Sequence, residues 1–213
     1  MPDLVETLVA GPLACNCSIV ADPAAGEAAV IDPGGEVDRI LEILRAHGLQ
    51  LKAIVHTHAH IDHILGTERL AAETGAPIWL HELDLPLYEG ISMQAAMLGM
   101  AGADVPPRPD HFCVDGDELL LGEAERLRVV HTPGHTPGSV CFHAEAKKLL
   151  FSGDTLFRLG IGRTDLWGGS HPEIIRSIRE RLLTLPGDTS VVPGHGPATT
   201  IGTELKMNPF LQS

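Results

Sequence analysis

Short strand-like runs separated by turns dominate the first thirty residues of the chain. Residues 6–9, 17–21 and 28–31 have the composition and length of short strands. The third run stops at Asp-Pro-Gly-Gly, residues 32–35, which is typical of a turn. The pattern therefore predicts three β-strands before any helix.

A helix and a β-α-β order are predicted next. Apolar residues recur at spacings of three and four after the first turn, at Val37, Ile40, Leu41 and Leu44. A buried strand at 51–55, a second helix at about 67–74 and a strand at 78–81 follow. This order is typical of parallel strands that are connected by helices.

The second half repeats the strand-rich pattern. Strands are predicted at 127–130, 139–143, 148–151 and 190–192. The last long helix is predicted to begin with a capping box at 170–173, and its apolar residues are Ile174, Ile178 and Leu182. We expect an α/β fold whose sheets are covered by helices on their outer faces. Because no linker or repeat interrupts the sequence, we expect a single domain over residues 1–213.

Composition and charge narrow the classes of function. The chain has 213 residues with 15 Lys and Arg against 28 Asp and Glu, a formal charge of −13. It lacks the basic clusters that bind nucleic acids or anionic membranes, so neither partner is expected. No apolar run approaches the roughly 18 residues of a membrane span, and residues 1–6 do not resemble a signal peptide. These features predict a cytoplasmic protein whose four cysteines are reduced.

Histidine is the unusual residue, with 12 copies, and three of them lie with an aspartate in residues 58–63. Residues two apart lie about 200° around a helix, so His58 and His60 fit a loop at the end of a strand better than a helix. Imidazole and carboxylate groups suit Zn, Fe or Mn. Three histidines and one aspartate are more ligands than one ion can take from a short loop. The segment predicts two metal ions side by side.

Three later turns carry one further ligand-type residue each. His135, Asp154 and His195 lie on tight turns that contain Gly or Pro, next to predicted strands. Each turn alone is also typical of an ordinary surface turn. Together they supply the ligands that the first segment lacks.

In this order the motifs resemble the metallo-β-lactamase superfamily, and within it the short bacterial glyoxalase II-like hydrolases. The resemblance rests on Asn16 and on the motifs at 57–63, 134–136, 153–155, 162–165, 193–196 and 208–210. It implies a four-layer αββα sandwich, with two mixed sheets and helices on the outer faces, and two divalent ions, most simply zinc, with iron or manganese as alternatives. The implied ligands are His58, His60 and His135 for one ion, Asp62, His63 and His195 for the other, and Asp154 as a bridge.

The resemblance further implies hydrolysis of a thioester such as S-D-lactoylglutathione by a metal-bound hydroxide. The expected partner is thus a small anionic thioester. Asp62 would orient the hydroxide and Asp154 would hold both ions, so these two carboxylates are the expected catalytic residues. Arg163 is the candidate for binding a substrate carboxylate, and a structural salt bridge with Asp165 is the equal alternative.

Two other classes of function stay open. The motif at 162–165 also resembles glutathione persulfide dioxygenases, which would hold a single Fe(II) through His58, His135 and Asp154. A binding protein that keeps its metals without turnover is the third class.

Two groups of residues have more than one interpretation. Three methionines recur at helical spacing, at Met93, Met97 and Met100. This spacing suits core packing, a dimer contact or an apolar lid over the substrate. A homodimer is therefore left open. His56 and His131 lie beside the ligand turns and are expected in the core or behind the ligands rather than on the metals.

Overall fold

The structure is a computed structural model that describes residues 4–100, 103 and 105–212. Over these residues the fold contains two six-stranded mixed sheets. The chain divides into two compact units. The first unit holds Met1–Phe112 and Leu120–Glu125, and the second unit holds Cys113–Leu119 and Arg126–Ser213.

The sheet of the first unit is antiparallel at one end and parallel at the other. Its strands, in spatial order, are β1 (Leu4–Ala10), β2 (Cys15–Asp22), β3 (Glu27–Ile31), β4 (Gln50–Val55), β5 (Ile78–Leu80) and β6 (His111–Phe112). Short turns join β1 to β2 and β2 to β3, so these neighbours are antiparallel. The strands from β3 to β6 are parallel because helical segments connect them.

The helices of the first unit lie between these strands. They are α1 (Val37–Ala46), α2 (Ile61–Ile64), α3 (Thr67–Thr74), α4 (Leu85–Glu89) and α5 (Ile91–Met97). The apolar stripe predicted for α1 is buried, and it joins a core with side chains of the sheet such as Ile19 and Ile54. α3 ends at Gly75, whose φ of 68° is a left-handed conformation that glycine adopts at little cost.

The second sheet also mixes both kinds of pairing. Its strands, in spatial order, are β14 (Thr199–Thr200), β13 (Ser190–Pro193), β10 (Leu149–Gly153), β9 (Val140–Ala144), β8 (Glu125–His131) and β7 (Glu118–Leu121). β10 and β13 are parallel, whereas β8, β9 and β10 alternate in direction. A separate hairpin of β11 (Leu156–Phe157) and β12 (Gly160–Ile161) follows β10.

Helices of the second unit bury the apolar face that the sequence predicts. α6 (His171–Ser177) continues into a π-helical turn, Ile178–Leu182, and α7 (Ile201–Met207) follows β14. The predicted face is buried in the core of the second unit. The predicted capping box is wrong: Ser170 is the N-cap residue, but its side chain makes no cap hydrogen bond.

The fold class predicted from the sequence is confirmed, because both sheets are mixed and helices accompany them. The predicted strands at 6–9, 17–21 and 28–31 lie within β1, β2 and β3. Several short elements were not predicted, because they are too short to show clear periodicity: β6, β7, β14, α4, α7 and the β11–β12 hairpin. The expectation of a single domain stays a prediction.

The direction of the strands decides where the ligand turns lie. β3 and β4 are parallel, so Asp32 after β3 and residues 56–63 after β4 emerge at the same edge of the first sheet. In the second sheet β8, β10 and β13 run in one direction, and His135, Asp154 and His195 follow them. Each sheet therefore gathers its own ligand-type residues at the carboxyl ends of its strands.

The methionine segment differs from the expectation of core packing. The side chains of Met93 and Met97 in α5 are 70% and 79% exposed, whereas Met100 packs against the core of the first unit. Core packing is thus wrong for the first two methionines. Residues 101, 102 and 104 of the same segment, and residues 1–3 of the stretch that was compared with signal peptides, lie outside the described residues.

Within the described part of the chain, no helix is both long and apolar enough to cross a bilayer. The longest continuous helix among the described residues, α6 with its π-helical turn, runs only from His171 to Leu182, whereas a span needs about 20 residues. The cytoplasmic location stays a prediction.

Truncation of Ile40 tests the packing of α1. This side chain is fully buried, so Ile40→Ala should lower the free energy of unfolding by about 2–5 kcal/mol. The matched change Arg39→Ala removes an exposed side chain from the same helix and should alter it by less than about 0.5 kcal/mol. Chemical denaturation of the metal-free protein measures both values, and equal stability of the two variants would contradict the observed packing.

Candidate metal centre

The segment after β4 carries four ligand-type side chains in the first unit. His58 and His60 lie in irregular chain, as predicted, and the helical turn α2 then carries Asp62 and His63. The rings of His58 and His63 are 4.1 Å apart between centroids, and those of His58 and His60 meet edge to face at 4.8 Å. His63 Nε2 lies 3.5 Å from Asp62 Oδ2. A loop and one helical turn therefore place all four side chains close together.

A buried carboxylate at the end of β3 orients two of these histidines. Asp32 Oδ2 accepts the Nδ1–H of His63 at 3.0 Å and the hydroxyl of Thr57 at 2.6 Å, and Oδ1 accepts the backbone N–H of Thr57 at 2.7 Å. Because the Thr57 hydroxyl donates to Asp32, its oxygen accepts the Nδ1 hydrogen of His58 at 3.1 Å. A neutral imidazole with hydrogen on Nδ1 keeps its lone pair on Nε2. Asp32 thus places the lone pair of both predicted ligands on Nε2.

The main chain beside His60 is held from two other elements. Asp84, which is fully buried just before α4, accepts the N–H of Ala59 at 3.0 Å. Gln94 in α5 accepts the N–H of Ile61 and donates to the carbonyl of Ala59, both at 3.0 Å. These bonds fix the backbone on both sides of His60. α5 therefore supports the ligand segment through Gln94.

In the second unit, Asp154 lies between two histidines. Its Oδ2 is 3.6 Å from Nε2 of His135, and its Oδ1 is 3.9 Å from Nε2 of His195. These distances exceed those of hydrogen bonds but are close to the roughly 3.4 Å between two ligand atoms of one tetrahedral ion. Each oxygen of Asp154 faces a different imidazole, which is the arrangement that a bridging carboxylate requires.

The tautomer of His135 is also fixed by the protein. Its Nδ1 donates to the carbonyl oxygen of Arg163 at 2.7 Å, because a carbonyl oxygen can only accept. A Cβ at Gly162 would lie 1.8 Å from the carbonyl oxygen of Asp154, so only glycine fits there. Glycine at this position therefore lets the backbone pass close to Asp154, and the carbonyl of the next residue, Arg163, then reaches His135.

The side chain of Arg163 is paired with a neighbour. Its Nε and Nη2 donate to the two carboxylate oxygens of Asp165 at 2.7 and 2.8 Å, and both side chains are exposed. Its guanidinium lowers the pKa of Asp165 to about 2, so this carboxyl is ionised at neutral pH. The salt bridge considered as the alternative is thus present, and binding of a substrate carboxylate by Arg163 stays a prediction.

Two further histidines have partners other than a metal. His56 is fully buried, which lowers its pKa to about 4, and its Nε2 lies 3.2 Å from the Thr67 hydroxyl. His131, in the second unit, donates from Nε2 to the carbonyl of Pro137 at 3.0 Å. Both contacts agree with the expectation that these residues support the structure.

The cysteines form no disulfide, and all four are buried. Burial raises the pKa of Cys15 and, more strongly, of Cys17. Both side chains are therefore thiols at neutral pH, which does not favour a cysteine nucleophile.

The seven predicted ligands divide between the units: His58, His60, Asp62 and His63 come together in the first, and His135, Asp154 and His195 in the second. Reasoning from the sequence missed three supporting residues, Asp32, Asp84 and Gln94. Asp32 had a usable signal, since it ends a strand that is parallel to the strand before the ligands. Asp84 and Gln94 reach the ligand segment from distant parts of the chain, and no local pattern marks them.

A family model of the metallo-β-lactamase superfamily matches residues 10–195. The chain therefore belongs to the metallo-β-lactamase superfamily, as its motifs predict. Among its relatives, a protein of Haemophilus influenzae named hydroxyacylglutathione hydrolase GloC is 40% identical over 199 residues, which cover 93% of each chain.

Solved structures show the same fold. The crystal structure of TTHA1623 in a di-iron-bound form superposes with a TM-score of 0.87 at 40% identity, over 97% of this chain and 100% of that chain. ETHE1 from Myxococcus xanthus superposes with a TM-score of 0.79 at 28% identity, over 97% of this chain and 83% of that one. The first of these proteins holds iron, so the fold alone does not select zinc.

Asp32→Asn tests the control of the tautomers. An amide has one acceptor oxygen where Asp32 accepts three hydrogen bonds, so His58 and His63 should lose part of their orientation. We expect zinc affinity, measured by competition with a chelator, to fall about 10–100-fold. The control Asp38→Asn removes an exposed carboxylate that pairs with Arg69 and should keep the affinity of the unaltered protein. Unchanged zinc binding in a folded Asp32→Asn variant would contradict the role of Asp32.

Proposed function

We propose that the two ligand sets together hold two divalent ions and that the protein hydrolyses a thioester of the S-D-lactoylglutathione type. One observation carries this proposal. In both units a histidine Nε2 and a carboxylate oxygen face each other at 3.5–3.9 Å, the spacing of atoms that share an ion. The proposed ligands are His58, His60 and His135 for one ion, Asp62, His63 and His195 for the other, and Asp154 as the bridge.

The chemistry of the donors fits zinc, with iron or manganese as alternatives. The hydrogen bonds at Nδ1 of His58, His63 and His135 leave the lone pair of each ring on Nε2, which is the state that binds a metal. Two divalent ions carry more positive charge than Asp62 and Asp154 offset. The site would therefore attract an anionic substrate even though the protein carries a charge of −13.

Divalent ions, when bound, lower the pKa of water to about 7 and polarise a carbonyl, so no side-chain nucleophile is needed. Asp62 would orient the attacking oxygen and hold its proton, since this carboxylate remains partly exposed beside His63. Attack on the thioester carbonyl would then release a thiolate, which is a good leaving group. The guanidinium of Arg163 would release the carboxylate of Asp165 and bind a carboxylate of the substrate in its place.

The relatives support this class of reaction to different degrees. The name of the Haemophilus influenzae relative, hydroxyacylglutathione hydrolase, favours a thioester of glutathione as the substrate. A second candidate is a glutathione persulfide dioxygenase that holds one Fe(II) through His58, His135 and Asp154. The motif at 162–165 and the similarity to ETHE1 support it.

One purified preparation separates these candidates. Its metal content is measured, and it is assayed in parallel for hydrolysis of S-D-lactoylglutathione and for persulfide-dependent uptake of O₂. We expect two ions per chain and thioester cleavage that a chelator abolishes, because the ions activate the attacking water. One iron with oxygen uptake would favour the dioxygenase, and bound metal with neither activity would favour a binding protein.

Matched variants link the activity to the proposed ligands. His135→Ala removes one ligand and should lower both metal content and hydrolysis. His171→Ala removes an exposed histidine at the start of α6 and should leave both unchanged. Equal activity of the two variants would contradict the proposed ligand set.

A further inference from the structure

We propose that Glu204 and Asn208 position the metal ligands Asp154 and His135 by clamping the β11–β12 hairpin. This inference rests on the metal site proposed above, and it concerns two residues outside the ligand set. Both side chains are fully buried, Glu204 within α7 and Asn208 directly after it. Both are therefore positioning residues rather than catalytic ones.

The clamp consists of hydrogen bonds to the tip of the hairpin. Glu204 Oε2 accepts the backbone N–H of Leu159 at 2.9 Å and the Nδ2–H of Asn208 at 2.7 Å, and Oε1 accepts the hydroxyl of Thr199 at 2.6 Å. Asn208 Nδ2 also donates to the carbonyl of Gly160 at 3.0 Å. A buried carboxylate is costly unless donors replace its water, so these donors fix Glu204 in one place.

The tip of the hairpin depends on this support. Leu159 has a φ of 57°, a left-handed conformation that residues other than glycine rarely adopt. Its side chain is 43% exposed, so apolar packing contributes little to holding it. The hydrogen bond from its N–H to Glu204 keeps the turn in this conformation.

The hairpin in turn connects the clamp with two ligands. Asp154 lies two residues before β11, and Gly162 and Arg163 directly follow β12. The N–H of Gly162 donates to the carbonyl of Thr155 at 3.2 Å, and its backbone lies against the carbonyl of Asp154. The next carbonyl, that of Arg163, accepts the Nδ1 hydrogen of His135. A displaced hairpin would therefore move Asp154 and release His135 together.

The test measures zinc affinity by chelator competition and thermal unfolding of the metal-free protein. Glu204→Gln keeps the size of the side chain but leaves one acceptor oxygen for three donors. Asn208→Ala removes the bonds to Gly160 and Glu204. Loss of a contact that orients a metal ligand typically lowers metal affinity about 10–100-fold. Because this clamp acts indirectly, through the hairpin, we expect zinc affinity to fall about tenfold in each variant.

Two controls separate positioning from general destabilisation. Leu205→Ala alters an exposed residue of the same helix and should keep full zinc affinity. Leu182→Ala truncates the core of the second unit and should lower the melting temperature of the metal-free protein without weakening zinc binding in the folded state. A tenfold loss in the clamp variants but not in these controls supports the proposal.

The proposal would be overturned if a folded Glu204→Gln variant bound zinc as tightly as the unaltered protein does. An equal loss of affinity in Leu182→Ala would overturn it as well, because destabilisation alone would then explain the result. If Glu204→Gln does not fold, Asn208→Ala decides by the same criteria. Unaltered protein that binds no metal would overturn the proposed function and this inference together, whereas bound zinc with unaffected clamp variants would overturn the inference alone.

Discussion

An imidazole binds a metal ion only through a nitrogen that carries no hydrogen, and the proposed metal ligands of this chain depend on that constraint. The protein satisfies it by placing an acceptor at Nδ1 of three histidines. For His58 and His63 the acceptors derive from one buried carboxylate, Asp32, directly or through the Thr57 hydroxyl. For His135 the acceptor is a main-chain carbonyl. The lone pairs on Nε2 are thus set by hydrogen bonds that exist without a metal.

Strand direction supplies the second level of order. Parallel strands end at one edge of a sheet, so turns that are distant in sequence become neighbours in space. Asp32 and the ligand segment meet in this way after β3 and β4, and Asp154 and His195 meet after β10 and β13. The close approach of Gly162 to the carbonyl of Asp154 shows how tightly these turns pack, because no side chain fits between them.

The sequence predicted those parts of the structure that leave a local signal. The stripe of α1 and the strands β1 to β3 follow from periodicity, and the segment 58–63 stands out by its density of ligand-type residues. Asp84, Gln94 and Glu204 could not be found in this way, because each acts through hydrogen bonds to residues far along the chain. The capping box predicted at 170–173 is absent even though Ser170 is the N-cap residue, so this local pattern did not predict its own hydrogen bond. Local patterns therefore locate ligands better than they locate the residues that orient them.

The hydrogen positions on the imidazole rings of the metal-free protein are decisive for this control of the tautomers. Nitrogen-15 NMR of labelled histidine distinguishes a protonated from an unprotonated ring nitrogen. We expect hydrogen on Nδ1 and a lone pair on Nε2 for His58, His63 and His135 at a pH where the rings are neutral. Hydrogen on Nε2 of these residues, or a mixture of tautomers like that of free histidine, would contradict it.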